Sequence, residues 1–71
     1  MLNIKKLCLN KLNNDSNLPL NLESLKVYFI LNKLVNLPLG IKKLYYYYFE
    51  SKKESILPVN CELICINKFR V

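Results

Sequence analysis

Histidine and tryptophan are absent from this 71-residue chain, and glycine occurs once, at Gly40. Without His there is no Ser-His or Cys-His pair to activate a nucleophile. With one Gly there is no glycine-rich loop to cradle a phosphate. The acidic side is thin, with five Asp and Glu against eleven Lys and Arg and a net charge of +6. Glu50 and Glu54 stand beside Lys52 and Lys53, which reads as a solvated charge run. The three cysteines, Cys8, Cys61 and Cys65, are an odd count and do not read as a disulfide framework. With no His and no Cys pair at two-residue spacing, zinc lacks its usual ligands. Three reduced thiols suit a reducing compartment. No cofactor is implied.

Long apolar runs are missing too. Mid-chain runs such as Val27 to Leu31 are far below the roughly 20 residues that span a bilayer. Residues 1–14 scatter Lys5, Lys6 and Lys11 among leucines and lack the unbroken core of a signal peptide. The expectation is a cytoplasmic protein with no membrane partner.

What is present is leucine, fifteen residues of it, with ten Asn. Hydrophobic residues make up 52% of the chain, too many for a disordered tail. Asn, Lys, Ile, Leu and Tyr are also what an AT-rich coding sequence supplies, so the positive charge alone says little about partners.

The prolines set a register. Pro19, Pro38 and Pro58 each follow Leu and precede an aliphatic residue, Leu20, Leu39 and Val59. Three residues past each proline stand Leu22, Ile41 and Cys61. Six past stand Leu25, Leu44 and Ile64, and eight past stand Val27, Tyr46 and Ile66. Ile4, Leu7 and Leu9 share the same internal spacing without a proline. Recurring columns of this kind are the signature of stacked repeats. The units run near 1–17, 18–36, 37–56 and 57–71.

Each unit ends in a short alternating segment: Leu7–Asn10, Leu25–Tyr28, Leu44–Tyr47 and Ile64–Asn67. Alternation at period two marks a half-buried strand. Four tyrosines followed by Phe49 favour a strand over a helix. Another apolar residue follows each strand at Leu12, Ile30, Phe49 and Phe69. The returns, such as 13–17 and 50–55, are polar. A rival reading takes 21–37 as an amphipathic helix, with Leu22, Leu25 and Phe29 on one face.

The stretches Leu18-Pro19-Leu20-Asn21-Leu22-Glu23-Ser24-Leu25-Lys26-Val27 and Leu37-Pro38-Leu39-Gly40-Ile41-Lys42-Lys43-Leu44-Tyr45-Tyr46 resemble the leucine-rich repeat family. The likeness is to its short repeats with a Leu-Pro step, and the chain is similar to FNIP-type repeats. The resemblance implies a short parallel β-solenoid of about four units, one strand each, every strand touching only its neighbours. Leucine-rich repeats place Asn five residues after the first strand leucine. Here Leu12, Ile30, Phe49 and Phe69 stand there, and Asn32 falls two residues later.

Such a stack has one outward sheet face. The columns read for it are Lys6, Ser24, Lys43 and Leu63; Cys8, Lys26, Tyr45 and Cys65; Asn10, Tyr28, Tyr47 and Asn67. Lys26, Tyr28, Lys43, Tyr45 and Tyr47 cluster in its middle. Tyrosine combines a large apolar body with a polar tip and is enriched where proteins bind. Neighbouring lysines favour an acidic partner. The plain alternative is cross-strand aromatic pairing that serves the sheet alone. The expected function is a non-catalytic protein–protein interaction module. A basic nucleic-acid-binding module and a fragment of a longer array are the alternatives. No clear caps close the stack, and exposed sheet edges invite pairing with another copy.

Overall fold

The computed structural model describes residues 4–66. Its strands are β1 (Lys6–Leu12), β2 (Ser24–Ile30), β3 (Lys43–Phe49) and β4 (Glu62–Cys65), with one turn of 3-10 helix at Lys52–Glu54. They form one sheet in the order β1-β2-β3-β4, every pair parallel. This is a short parallel β-solenoid. Asn21–Leu37 is not a helix; it holds β2 and the irregular segment after it.

Proline turns start the second, third and fourth coils. Leu22 N–H donates to the Pro19 carbonyl, Ile41 to Pro38 and Cys61 to Pro58, at 3.3, 3.2 and 3.0 Å. The third residue past each proline is thereby folded under the sheet, and Leu22 and Ile41 are buried. The residue directly after each proline sits at the tip of the turn and points away. Leu20, Leu39 and Val59 are 84%, 87% and 94% exposed. Replacing each of the three with Ser is expected to change stability by no more than about 0.5 kcal/mol, since nothing packs on them. Urea titration of the triple variant checks this, and a clearly lower midpoint would mean that the tips carry packing.

The core lies between the sheet and the returning segments. Leu25, Val27, Ile30, Leu34 and Leu44 have no exposed surface, and Ile41, Leu37, Leu12 and Tyr46 are nearly as deep. Ile4, Leu7, Leu9 and Leu63 are only partly covered, because each belongs to an outer strand or its approach.

The strands are longer than the four-residue segments that alternation marks. Three of them run seven residues and take in Leu12, Ile30 and Phe49 as their last positions. Alternation holds from Leu25 to Val27 and then breaks: Tyr28 and Phe29 both face out before Ile30 turns in. β3 repeats this with Tyr47 and Tyr48 ahead of Phe49.

The fourth unit departs from the proline register. Leu7 pairs with Leu25, Leu25 with Leu44 and Leu44 with Leu63, spacings of 18, 19 and 19 residues. Ile64 therefore aligns with Tyr45 and Cys65 with Tyr46, in place of Ile64 with Leu44 and Ile66 with Tyr46. Leu63, expected on the outward face, packs toward the core. The cause is local. Glu23-Ser24 and Lys42-Lys43 lie between turn and strand leucine in the middle units, but only Glu62 lies between Cys61 and Leu63. One residue fewer exchanges the two faces of a strand. Asn67 and Phe69, read as the end of this unit, lie outside the described residues.

On the return side, side chains bond the turning backbone. Asp15 is 3% exposed, and its Oδ2 accepts the Asn36 N–H at 2.8 Å. Ser55 Oγ accepts the Leu34 N–H at 2.8 Å and donates to the Ser51 carbonyl at 3.0 Å. The Ile56 N–H in turn reaches the Leu34 carbonyl. Backbone polar groups under the sheet need such partners. Among the described residues no buried side-chain nitrogen or oxygen lacks one.

Candidate binding face

β2 and β3 carry the outward face. Their register sets Ser24 beside Lys43, Lys26 beside Tyr45 and Phe29 beside Tyr48. Tyr28 and Tyr47 fall between the pairs Val27–Tyr46 and Phe29–Tyr48, so they share a column. All five residues nominated from the sequence lie on this side. Lys43, Tyr28 and Tyr47 are exposed, whereas Lys26 and Tyr45 are half-buried.

The break in alternation adds two aromatics that the sequence reading missed. Strict alternation would turn Phe29 and Tyr48 inward, yet they are 37% and 47% exposed. The missed signal is the apolar spacing itself: Leu25, Val27 and Ile30 are two and then three residues apart, as are Leu44, Tyr46 and Phe49. The Phe29 and Tyr47 rings meet edge to face, with centroids 5.8 Å apart. Such pairs favour a fixed aromatic surface. The Lys26 ammonium stands 5.8 Å from the centre of the Tyr28 ring, within cation–π range. One border of the face is an open depression of about 310 Å³, lined by Lys6, Cys8, Ser24, Lys26 and Tyr45 among others.

Tyr46 belongs to the core instead. Its hydroxyl accepts from Lys52 Nζ at 3.1 Å, its ring lies under the same ammonium, and Phe49 packs edge-on against it. Lys52, read as part of a solvated loop, thus ties the 3-10 turn to β3. The Lys5–Glu23 pair, at 3.9 Å with both side chains about half exposed, is a surface contact of little weight.

The cysteines are free thiols. Cys8 lies in the column of Lys26 and Tyr45, while Cys65 takes the place next to Tyr46, so the two do not share a column as the proline register implied. Burial pushes the Cys61 thiol above its ordinary pKa, which disfavours its thiolate. Among the described residues no three His, Cys, Asp or Glu side chains gather where a metal could bind, and no helix is long and apolar enough to cross a membrane. Compared with protein-family models, curated proteins and solved structures, the chain finds no match.

Proposed function

We propose that the chain is a non-catalytic protein-interaction module, built from leucine-rich-like repeats of the FNIP kind, whose outward face takes an acidic segment of another protein. The observation that supports it is one patch: Tyr28, Phe29, Tyr47 and Tyr48, each more than a third exposed, with Lys26 against Tyr28 and Lys43 at the start of β3. Rings held edge to face lose little side-chain freedom on binding, and aromatic anchors of this kind dominate binding energies. The lysines select the sign of the partner and speed its approach. In this reading Tyr28 and Tyr47 are the anchors, half-buried Tyr45 flanks them beside Lys26, Lys26 and Lys43 set the charge, and the free thiols suit the cytoplasm.

A glutamate- and aromatic-containing peptide, titrated by fluorescence or NMR, is the probe. Replacing Tyr28 and Tyr47 together with Ala is expected to weaken it about thirtyfold, the effect of about 2 kcal/mol at an aromatic hot spot. An unchanged affinity would remove the face from the reading. Titration of an oligothymidylate separates the alternative. A single strand that bound more tightly than the peptide, with an affinity falling by about 0.7 log units per log of salt for each phosphate neutralised, would favour a nucleic-acid module.

A further inference from the structure

The two outer strands differ in a way that gives the sheet a direction. On the open side of β1 the inward residues Leu7 and Leu9 are only half-buried, whereas Leu25, Val27 and Leu44 are sealed. On the open side of β4, Leu63 is likewise half-buried and Cys65 is exposed. Among the described residues, each outer strand thus presents an incompletely covered apolar column and a backbone edge with no strand beside it. The charges on the two edges are opposite. β1 carries Lys6 and Lys11 and no acid, and β4 carries Glu62 and no base. Lys6 and Glu62 are the two ends of one column, Lys6–Ser24–Lys43–Glu62.

We propose that copies of this chain stack head to tail, β4 of one lying parallel to β1 of the next. The register of the sheet then runs on unbroken: Glu62 beside the second copy's Lys6, Leu63 beside its Leu7 and Ile64 beside its Cys8. Oppositely charged neighbours across strands favour this pairing. β1 against β1 has only lysines as charged residues, and β4 against β4 only Glu62, so neither gains an opposite-charge pair. A two-fold dimer therefore lacks the attraction that the head-to-tail junction has. A heterologous contact leaves a free edge at each end of a pair, so association runs past the dimer.

Sedimentation velocity of the reduced full chain over a concentration series is the test. The average mass should climb past that of a dimer. Lys6→Glu, whose neighbour within the chain is the neutral Ser24, should weaken association about tenfold, because an attractive cross-strand pair becomes a repulsive one. Glu62→Lys, which also sets a lysine beside Lys43 within the chain, should do the same while its circular dichroism spectrum stays that of the wild type. An equimolar mixture of the two variants should recover stacking, since both of its junctions are again Lys against Glu. Register is read independently with Ile64→Cys in a Cys61→Ser, Cys65→Ser background. Strands about 4.8 Å apart lie within disulfide reach, so a mild oxidant should link the new thiol to Cys8 of another chain. The two positions are three strands apart within one chain, which excludes an internal link. A wild-type chain that stays monomeric, a mass that saturates at the dimer, Lys6→Glu that associates as tightly as wild type, or the lack of any Cys8 link would each overturn the proposal.

Discussion

Leu44→Ala is expected to lower stability by about 2–5 kcal/mol, the range for emptying a sealed leucine site. Leu44 has no exposed surface and lies in β3, between Leu25 and Leu63 in the register. A chain of this length has a total stability of roughly 4–10 kcal/mol at the average per residue. The substitution therefore removes a large part of it, and the urea midpoint should fall by about half. Leu7→Ala takes the same column position in β1, but its side chain is only half covered. It is expected to lose nearer to 1 kcal/mol, in proportion to the area it hides from water. Urea titrations followed by circular dichroism measure both. Equal losses would mean that the core is not centred on β2 and β3.

Ser55→Ala should lower stability by about 1–3 kcal/mol, the penalty for stranding the donor of buried Leu34, and Asp15→Ala by about 1 kcal/mol, because its donor belongs to the exposed Asn36. Asp15 holds the Asn36 N–H, and Ser55 holds the Leu34 N–H. The first bond joins the first return segment to the second, and the second bond joins the second to the third. Ser55→Ala also removes one of the two bonds to the Ser51 carbonyl, which keeps the Glu54 N–H. Asp15→Asn keeps an acceptor oxygen at the same position and should lose less than Asp15→Ala. Amide exchange gives each bond its own readout: Asn36 should exchange faster in Asp15→Ala, and Leu34 in Ser55→Ala. If Asn36 exchanged at the wild-type rate in Asp15→Ala, the bridging role of that carboxyl group would fall.

These bridges lay beyond the reach of sequence reasoning for a definite reason. Asp15 sits in Asn13-Asn14-Asp15-Ser16-Asn17, a stretch whose polarity reads as solvated loop. Only the folded chain shows that it fills the place, four residues before a proline, that Leu34 fills one unit later. The strand positions were legible where chemistry was unambiguous. Lys26 separates Leu25 from Val27, and a charged residue between two aliphatics declares which side is wet. Glu62-Leu63-Ile64-Cys65-Ile66 offers no such contrast after its first residue, so the proline spacing chose Ile64 and the fold chose Leu63. The outward face was legible in Lys26, Tyr28, Lys43, Tyr45 and Tyr47 for the same reason of contrast. Phe29 and Tyr48 escaped because a period of two carries them inward, and aromatic residues satisfy either side of a sheet.

The constant spacing of the strand pairs has a kinetic consequence. Every interstrand contact joins residues 18 or 19 positions apart, so each coil closes a loop of nearly the same length. Closure entropy grows only with the logarithm of loop length, and here it is the same at every step. The first coil to form meets that barrier without a template, and each later one adds to an existing edge. β2 and β3, which share the sealed core, are the pair best able to start. Growth then runs outward in both directions, so that β1 and β4 are the last to join and the first to fray. In a longer stack of the same units the separation between contacting residues would not increase. Folding would then start at more places without any one coil becoming slower to close.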